Sequence, residues 1–114
     1  MERPPSIVVS GSLAYDRIMD FPGKFSEQIM PDKIHSLNVS FFVKELKESF
    51  GGTAGNIAYN IALLGDQPII IAAAGRKDFT PYRQWLRSRG VSTTRIHLDD
   101  HEPTASAYII TDAD

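Results

Sequence analysis

The sequence predicts an α/β domain built on parallel strands, and three observations carry that expectation. Two short runs, Ile7 to Ser10 and Pro68 to Ala74, are apolar without alternation, the pattern of parallel strands packed on both faces. Between them, Ile57, Ala58, Ile61, Ala62 and Leu64 recur with the 3.6-residue period of a one-faced helix. A second helix with well-marked ends follows the second run, so strand and helix alternate with short joints in βαβ order.

Taken in order, Ile7 to Ser10 is the first strand and stops at Gly11. Leu13 to Phe21 carries Tyr15, Ile18, Met19 and Phe21 and ends at the turn signal Pro22-Gly23, which predicts a second strand. Beyond the broken segment Lys24 to Lys33, Ile34 to Val43 alternates imperfectly through Ile34, Leu37, Val39 and Phe41, as a half-exposed strand does. Gly51-Gly52-Thr53 opens the clearest helix; Thr53 is placed to cap it, and Gly65 fits the left-handed position beyond its last turn. Thr80 as cap, Pro81 at the first helical position and Gly90 after Arg89 frame a helix with Tyr82, Trp85 and Leu86 on one face. Val91, Ile96 and Leu98 predict a short strand, Asp99 to Pro103 a polar loop, and Thr104 to Thr111 a last strand alternating through Ala105, Ala107 and Ile109. Asp112-Ala113-Asp114 has the form of a hairpin turn, and a strand that turns needs a partner to turn into. The chain is therefore expected to be the N-terminal piece of a larger protein.

Composition narrows the function. Of 114 residues, 42% are hydrophobic and 23% charged, the balance of a folded domain rather than a disordered one. Twelve basic against fourteen acidic residues leave a net charge of −2, no electrostatic footprint for nucleic acid or an anionic membrane. The lack of Cys excludes a disulfide framework, a thiolate zinc site and a cysteine nucleophile. No apolar run approaches the ~18 residues of a membrane span. No signal-peptide apolar core can be drawn ahead of Ile7, so the cytoplasm is the expected compartment. His35, His97 and His101 lack metal-ligand spacing, and Asp99-Asp100-His101-Glu102 has the character of a solvated loop, so no metal site is expected. Gly11-Ser12-Leu13 lacks the further glycines of a dinucleotide fingerprint.

The strongest constellation is Phe50-Gly51-Gly52-Thr53-Ala54-Gly55-Asn56-Ile57-Ala58, with Gly65 and Gly75 beyond it. A glycine pair ahead of a helix lets the backbone approach a ligand, with the first helical N–H groups facing it. Asn56 on the first turn can both donate and accept, which suits an uncharged polyhydroxyl ligand.

This stretch resembles the first signature of the ribokinase-like sugar and nucleoside kinases, the pfkB carbohydrate kinase family. Gly51-Gly52, Ala54, Asn56, Ala58, Gly65 and Gly75 fall on its fixed positions, and Gly75-Arg76-Lys77-Asp78 is similar to its Gly-x-x-Asp turn. Gly11-Ser12-Leu13-Ala14-Tyr15-Asp16 resembles the family's Gly-x-x-x-x-Asp, whose Asp grips substrate hydroxyls; an ionised carboxylate accepts two hydroxyl hydrogen bonds at once, so Asp16 suits a vicinal diol. Many sugar-specific members carry Asn where this chain has Ala14, a departure that points away from ribose itself.

The resemblance implies that residues 1–114 are part of a ribokinase-like three-layer α/β/α fold with a small β-sheet lid. Lid strands are expected near residues 17–22, 34–43 and 104–111. It implies transfer of the γ-phosphoryl of Mg·ATP to a substrate hydroxyl. The second signature, Asp-x-x-Gly-Ala-Gly-Asp with its catalytic Asp, is absent, as are the ATP-contacting loops. ATP and Mg²⁺ are thus expected to serve the full-length enzyme, neither held by this chain alone, and the chain alone is expected to be inactive. Implied substrate contacts are Asp16, Gly51, Gly52, Thr53 and Asn56, with Ser12, Phe42, Ser106 and Tyr108 added from the first turn and the lid. Phe41, Phe42 and Tyr108 would cover a sugar or base. In dimeric members two lids clasp, which makes a homodimer through these strands an expected assembly. The segments around Asp16 and Asn56 resemble bacterial adenosine-kinase-like members, so adenosine is the expected acceptor, with ribose, fructose and other sugars open to the same diol grip. The competing expectation is a non-catalytic fragment that acts only in substrate binding or in lid-mediated self-association.

Overall fold

The structure, a computed structural model, describes residues 7–28 and 42–113. Among these the elements run β1 (Ile7–Ser10), β2 (Ala14–Asp20), α1 (Phe25–Gln28), β3 (Leu46–Gly51), α2 (Thr53–Leu63), β4 (Pro68–Gly75), α3 (Thr80–Ser88), β5 (Ile96–Asp99) and β6 (Ala105–Thr111). They form two three-stranded sheets. The first, in order β1-β4-β5, is wholly parallel, with Val9 opposite Ile70 and Ala74 opposite Leu98. The second, in order β3-β2-β6, pairs the central β2 antiparallel with β3 and parallel with β6.

The βαβ expectation holds for β4, α3 and β5, whose strands pair in parallel; α2 instead leads from the second sheet to β4 and packs on β4 and β1 through buried Ala54 and Ala58. Helices α2 and α3 end where glycine takes up the left-handed backbone, at Gly65 (φ 96°) and Gly90 (φ 85°). Phe79, Tyr82 and Leu86 of the α3 region complete the core against Ile70 and Leu13.

Several expectations are corrected. The first strand is not buried on both faces: β1 is a sheet edge on which Val9 alone is buried and Val8 is 62% exposed. On β4, Pro68, Ile70 and Ala74 are buried toward the helices, whereas Ile71 and Ala73 face outward. Neither Thr53 nor Thr80 is an N-cap; the cap positions are Gly52 and Phe79, neither with a side-chain cap bond. Ser12 does the work for α2 instead, its Oγ accepting from Thr53 N at 3.1 Å and its carbonyl from Ala54 N at 2.9 Å. The strand over 34–43 lies outside the described residues except for Phe42 and Val43, which are not in a strand. The strand that precedes the helix is β3, whose exposed Lys47-Glu48-Ser49 shows no apolar alternation. Although its residues alternate in type, β6 is exposed along its whole length. Beyond β6, Asp112 Oδ2 accepts from Phe25 N at 2.8 Å, and Ala113 N donates to Gly23 O at 2.9 Å.

One buried polar hub fastens the second sheet to α3. Thr104 Oγ1 donates to Asp78 Oδ1 at 2.6 Å and accepts from Gly75 N at 2.9 Å, while Thr104 N donates to the same carboxylate at 3.0 Å. Gly75 has to be glycine here, since a Cβ would lie 2.5 Å from Thr104 N and 2.7 Å from Pro103 backbone carbon. Thr104→Val keeps the volume but leaves the buried Gly75 N–H without its acceptor. Its expected cost is about 1–3 kcal/mol, read as a lower urea midpoint with unchanged slope.

Candidate functional site

The site forms where the second sheet meets the start of α2. β1 leads through Gly11–Leu13 into β2, and β3 returns beside β2 and ends at Gly51, immediately before α2. In register, Asp16 sits between Ser49 of β3 and Ala107 of β6, while Ala14 sits between Gly51 and Ala105. Side chains alternate along a strand, so Ala14 and Asp16 share a face with Gly51 and Ser49.

The Asp16 carboxylate lies over the Gly51 backbone. A Cβ on Gly51 would run into Asp16 Oδ2 and fall 2.9 Å from the carboxylate carbon. Only glycine leaves that space. Among the described residues the Asp16 carboxylate has no hydrogen-bond or ion-pair partner, and it is partly exposed. Gly52 follows with φ 89° and ψ 151°, and a Cβ on it would stand 2.5 Å from the Ser12 carbonyl oxygen. The chain of Ser12 to Ala14 is thus pressed against the glycine pair. Thr53 and Ser12 hold each other: Thr53 Oγ1 lies 3.3 Å from both Ser12 N and Ser12 Oγ. Asn56 is exposed one turn along α2, its N–H bonded to Gly52 O at 3.1 Å and its carbonyl accepting from Asn60 Nδ2 at 2.8 Å.

Not all of the sequence-selected residues gather here. Asp16, Gly51, Gly52, Thr53, Ser12 and Asn56 surround one junction, but Ser106 and Tyr108 pair with Tyr15 and Arg17 and so lie on the opposite face of the sheet. There Arg17 Nη1 bonds Ser106 Oγ, Arg17 Nε bonds Glu48 Oε1 at 2.8 Å, and the guanidinium lies 5.5 Å from the Tyr108 ring centre and 5.4 Å from that of Tyr15. A cavity of about 300 Å³ opens on this second face, lined by Tyr15, Arg17, Glu48, Phe50 and Pro81. Phe42 is 79% exposed ahead of β3.

Sequence reasoning missed Tyr82. It reads as one more residue of an apolar helix face, yet its hydroxyl donates to Gly51 O at 2.6 Å inside the core. Burial, together with the nearby Asp16 charge, pushes its phenol up to about 12. The signal that could have found it is Gly55, a glycine at a buried helical position facing the ring.

The N–H groups of Thr53 and Ala54, which an anion at the start of α2 would use, are bonded to Ser12. Among the described residues no group of three or more His, Asp or Glu is placed to hold a metal ion. What the junction offers is a carboxylate acceptor with free lone pairs beside close-packed glycine backbone, suited to gripping hydroxyls.

Comparison with known proteins decides the family. Residues 6–114 match the pfkB family of carbohydrate kinases. The chain belongs to that family. As a pfkB family member it is 28% identical, over the whole of its length and 34% of the relative, to a nucleoside kinase of Methanothermobacter thermautotrophicus. Among solved structures, the nucleoside kinase of Burkholderia thailandensis in complex with inosine is 37% identical, with a TM-score of 0.77 over 96% of this chain and 34% of that one. A ribokinase of Cryptococcus neoformans var. grubii in complex with ADP is 26% identical, with a TM-score of 0.75 over 97% of this chain and 32% of that one. The fold is therefore ribokinase-like, as the sequence led one to expect. The chain spans roughly a third of the length of the curated relatives it matches.

Proposed function

We propose that this chain is the acceptor-binding part of an ATP-dependent nucleoside kinase, with Asp16 gripping a vicinal diol of the ribose. The observation that carries this reading is the Asp16 carboxylate, partnerless among the described residues and laid over Gly51 at the junction of the second sheet with α2. Relatives named nucleoside kinases and a neighbour solved with inosine support a nucleoside over a free sugar. Adenosine is the acceptor favoured by the sequence around Asp16 and by Ala14. Asn56 adds a donor and acceptor at the rim, and Gly52 brings backbone alongside. The groups that would bind Mg·ATP and take the acceptor's proton are not supplied by these residues, so this chain by itself binds acceptor without phosphorylating it.

Calorimetric titration tests the proposal. Adenosine and inosine are expected to bind the chain more tightly than ribose or fructose. Deleting one hydroxyl of the diol, in 2′-deoxyadenosine, removes one hydrogen bond to a charged acceptor and should weaken binding roughly 10- to 150-fold. Equal affinities for the two nucleosides would remove the diol from the grip of Asp16. A chain that binds no nucleoside at all would refute the acceptor-binding assignment.

A further inference from the structure

We propose, resting on the reading of Asp16 as the carboxylate that grips the acceptor, that Tyr82 is a positioning residue which holds the Gly51–Gly52 peptide beneath that carboxylate. Tyr82 is fully buried on α3, and its hydroxyl reaches the carbonyl of the residue on which Asp16 rests. Room for the hydroxyl comes from Gly55. A Cβ there would run into the phenol oxygen and stand 3.1 Å from the ring carbon that bears it. The helix thus lacks a side chain at a buried position where the phenol passes to the end of the strand. On its other side the Tyr82 ring stacks on Phe50, the neighbour of Gly51, at 4.6 Å and 25°.

The consequence for Asp16 follows from peptide geometry. A planar trans peptide fixes the Gly52 N–H opposite the Gly51 carbonyl, so a clamp on the carbonyl sets the orientation of the whole unit. Two successive glycines have no Cβ to restrict the peptide between them, so its orientation depends on the contacts it makes, of which the Tyr82 hydroxyl is the side-chain one. Rotation there would swing the Gly51 carbonyl and the Gly52 N–H about the line joining the two Cα atoms, and so change the backbone dipole on which the carboxylate rests. The phenol stays protonated, and so stays a donor, at any pH near neutrality, because burial and the Asp16 charge both oppose its ionisation.

The test compares the chain with Tyr82→Phe, Asp16→Asn and the double variant, measuring the adenosine Kd and the melting temperature of each free protein. Tyr82→Phe keeps the ring and its stacking and is expected to raise Kd about tenfold at a temperature where the protein is fully folded. In the Asp16→Asn background the same change should raise Kd less than twofold, because the group being positioned has been altered. A lower melting temperature with unchanged Kd would show a structural hydroxyl only and overturn the proposal, with Asp16 untouched. Equal factors in both backgrounds would overturn it too. If Asp16→Asn binds as tightly as the unaltered chain, or if no form binds adenosine, the assignment of Asp16 fails first and that of Tyr82 falls with it. Should Tyr82→Phe not fold, Gly55→Ala displaces the same hydroxyl from the helix side; a tenfold weaker Kd supports the clamp and an unchanged one refutes it.

Discussion

Gly52→Ala is expected to destabilise the chain by roughly 2–6 kcal/mol, enough to unfold many domains of ordinary stability. Two costs combine. At φ 89° and ψ 151° the backbone is in a region that essentially only glycine occupies, worth roughly 1–3 kcal/mol of strain to any other residue. The new Cβ would also meet the Ser12 carbonyl oxygen at 2.5 Å, Ala14 N at 2.9 Å and Leu13 Cα at 2.9 Å. All three are backbone atoms and cannot swing aside, and overpacking of that kind typically costs ~1–3 kcal/mol. Gly65 is the internal control, since it has φ 96° but nothing within 4 Å of its would-be Cβ. Gly65→Ala should therefore cost only the left-handed penalty, about 1–2 kcal/mol. Urea midpoints of the two variants measure the difference, and equal midpoints would mean that the press of Ser12–Ala14 on Gly52 contributes nothing.

Asp16→Ala is expected to weaken nucleoside binding by roughly 2–4 kcal/mol, about 30- to 1000-fold, on the ~1.5–3 kcal/mol scale of a hydrogen bond to a charged group. The loss should be confined to binding. Asp16 has no partner among the described residues whose removal would orphan a second group, and its departure leaves only space above Gly51. The melting temperature should therefore stay within a few degrees of the unaltered chain. Asp99→Ala is the matching control in the other sheet, because that carboxylate accepts from His101 N and Glu102 N at 2.7 Å and serves its own loop. It should leave the nucleoside Kd unchanged. A full-strength Kd for Asp16→Ala would move the acceptor to another part of the molecule.

The sequence makes parts of this legible and hides others for physical reasons. The βαβ order and the helix ends at Gly65 and Gly90 are local matters, written in apolar period and in glycine's access to positive φ. Asp16, Gly51 and Gly52 are legible as a group because motif and geometry coincide. The capping of α2 is not, since its oxygen comes from Ser12, 41 residues away from Thr53. Strand β3 escapes notice because Lys47, Glu48 and Ser49 are exposed on a sheet edge, so no buried face imposes alternation on them. Ser106 and Tyr108 are parted from Asp16 by strand register, where a shift of one residue exchanges the faces. Periodicity within one strand cannot fix its register against another. Tyr82 is hidden for a further reason, that one oxygen atom distinguishes a clamp from ordinary packing.

Among the described residues, bonds that tie the second sheet to the α3 region lie at one end of its strands: Tyr15 to Asp78 O, Tyr82 to Gly51 O, and Thr104 through its hydroxyl and its N–H to the Asp78 carboxylate. At the other end, Phe21 N bonds Thr111 O and Ala113 N bonds Gly23 O, so the sheet closes on its own turn. Asp16 therefore lies nearer the fastened end of β2 than its far end at Asp20. The carboxylate proposed to hold the acceptor is thus placed by the same contacts that join the sheet to α3, so substitutions at that join reach the acceptor grip and the core together.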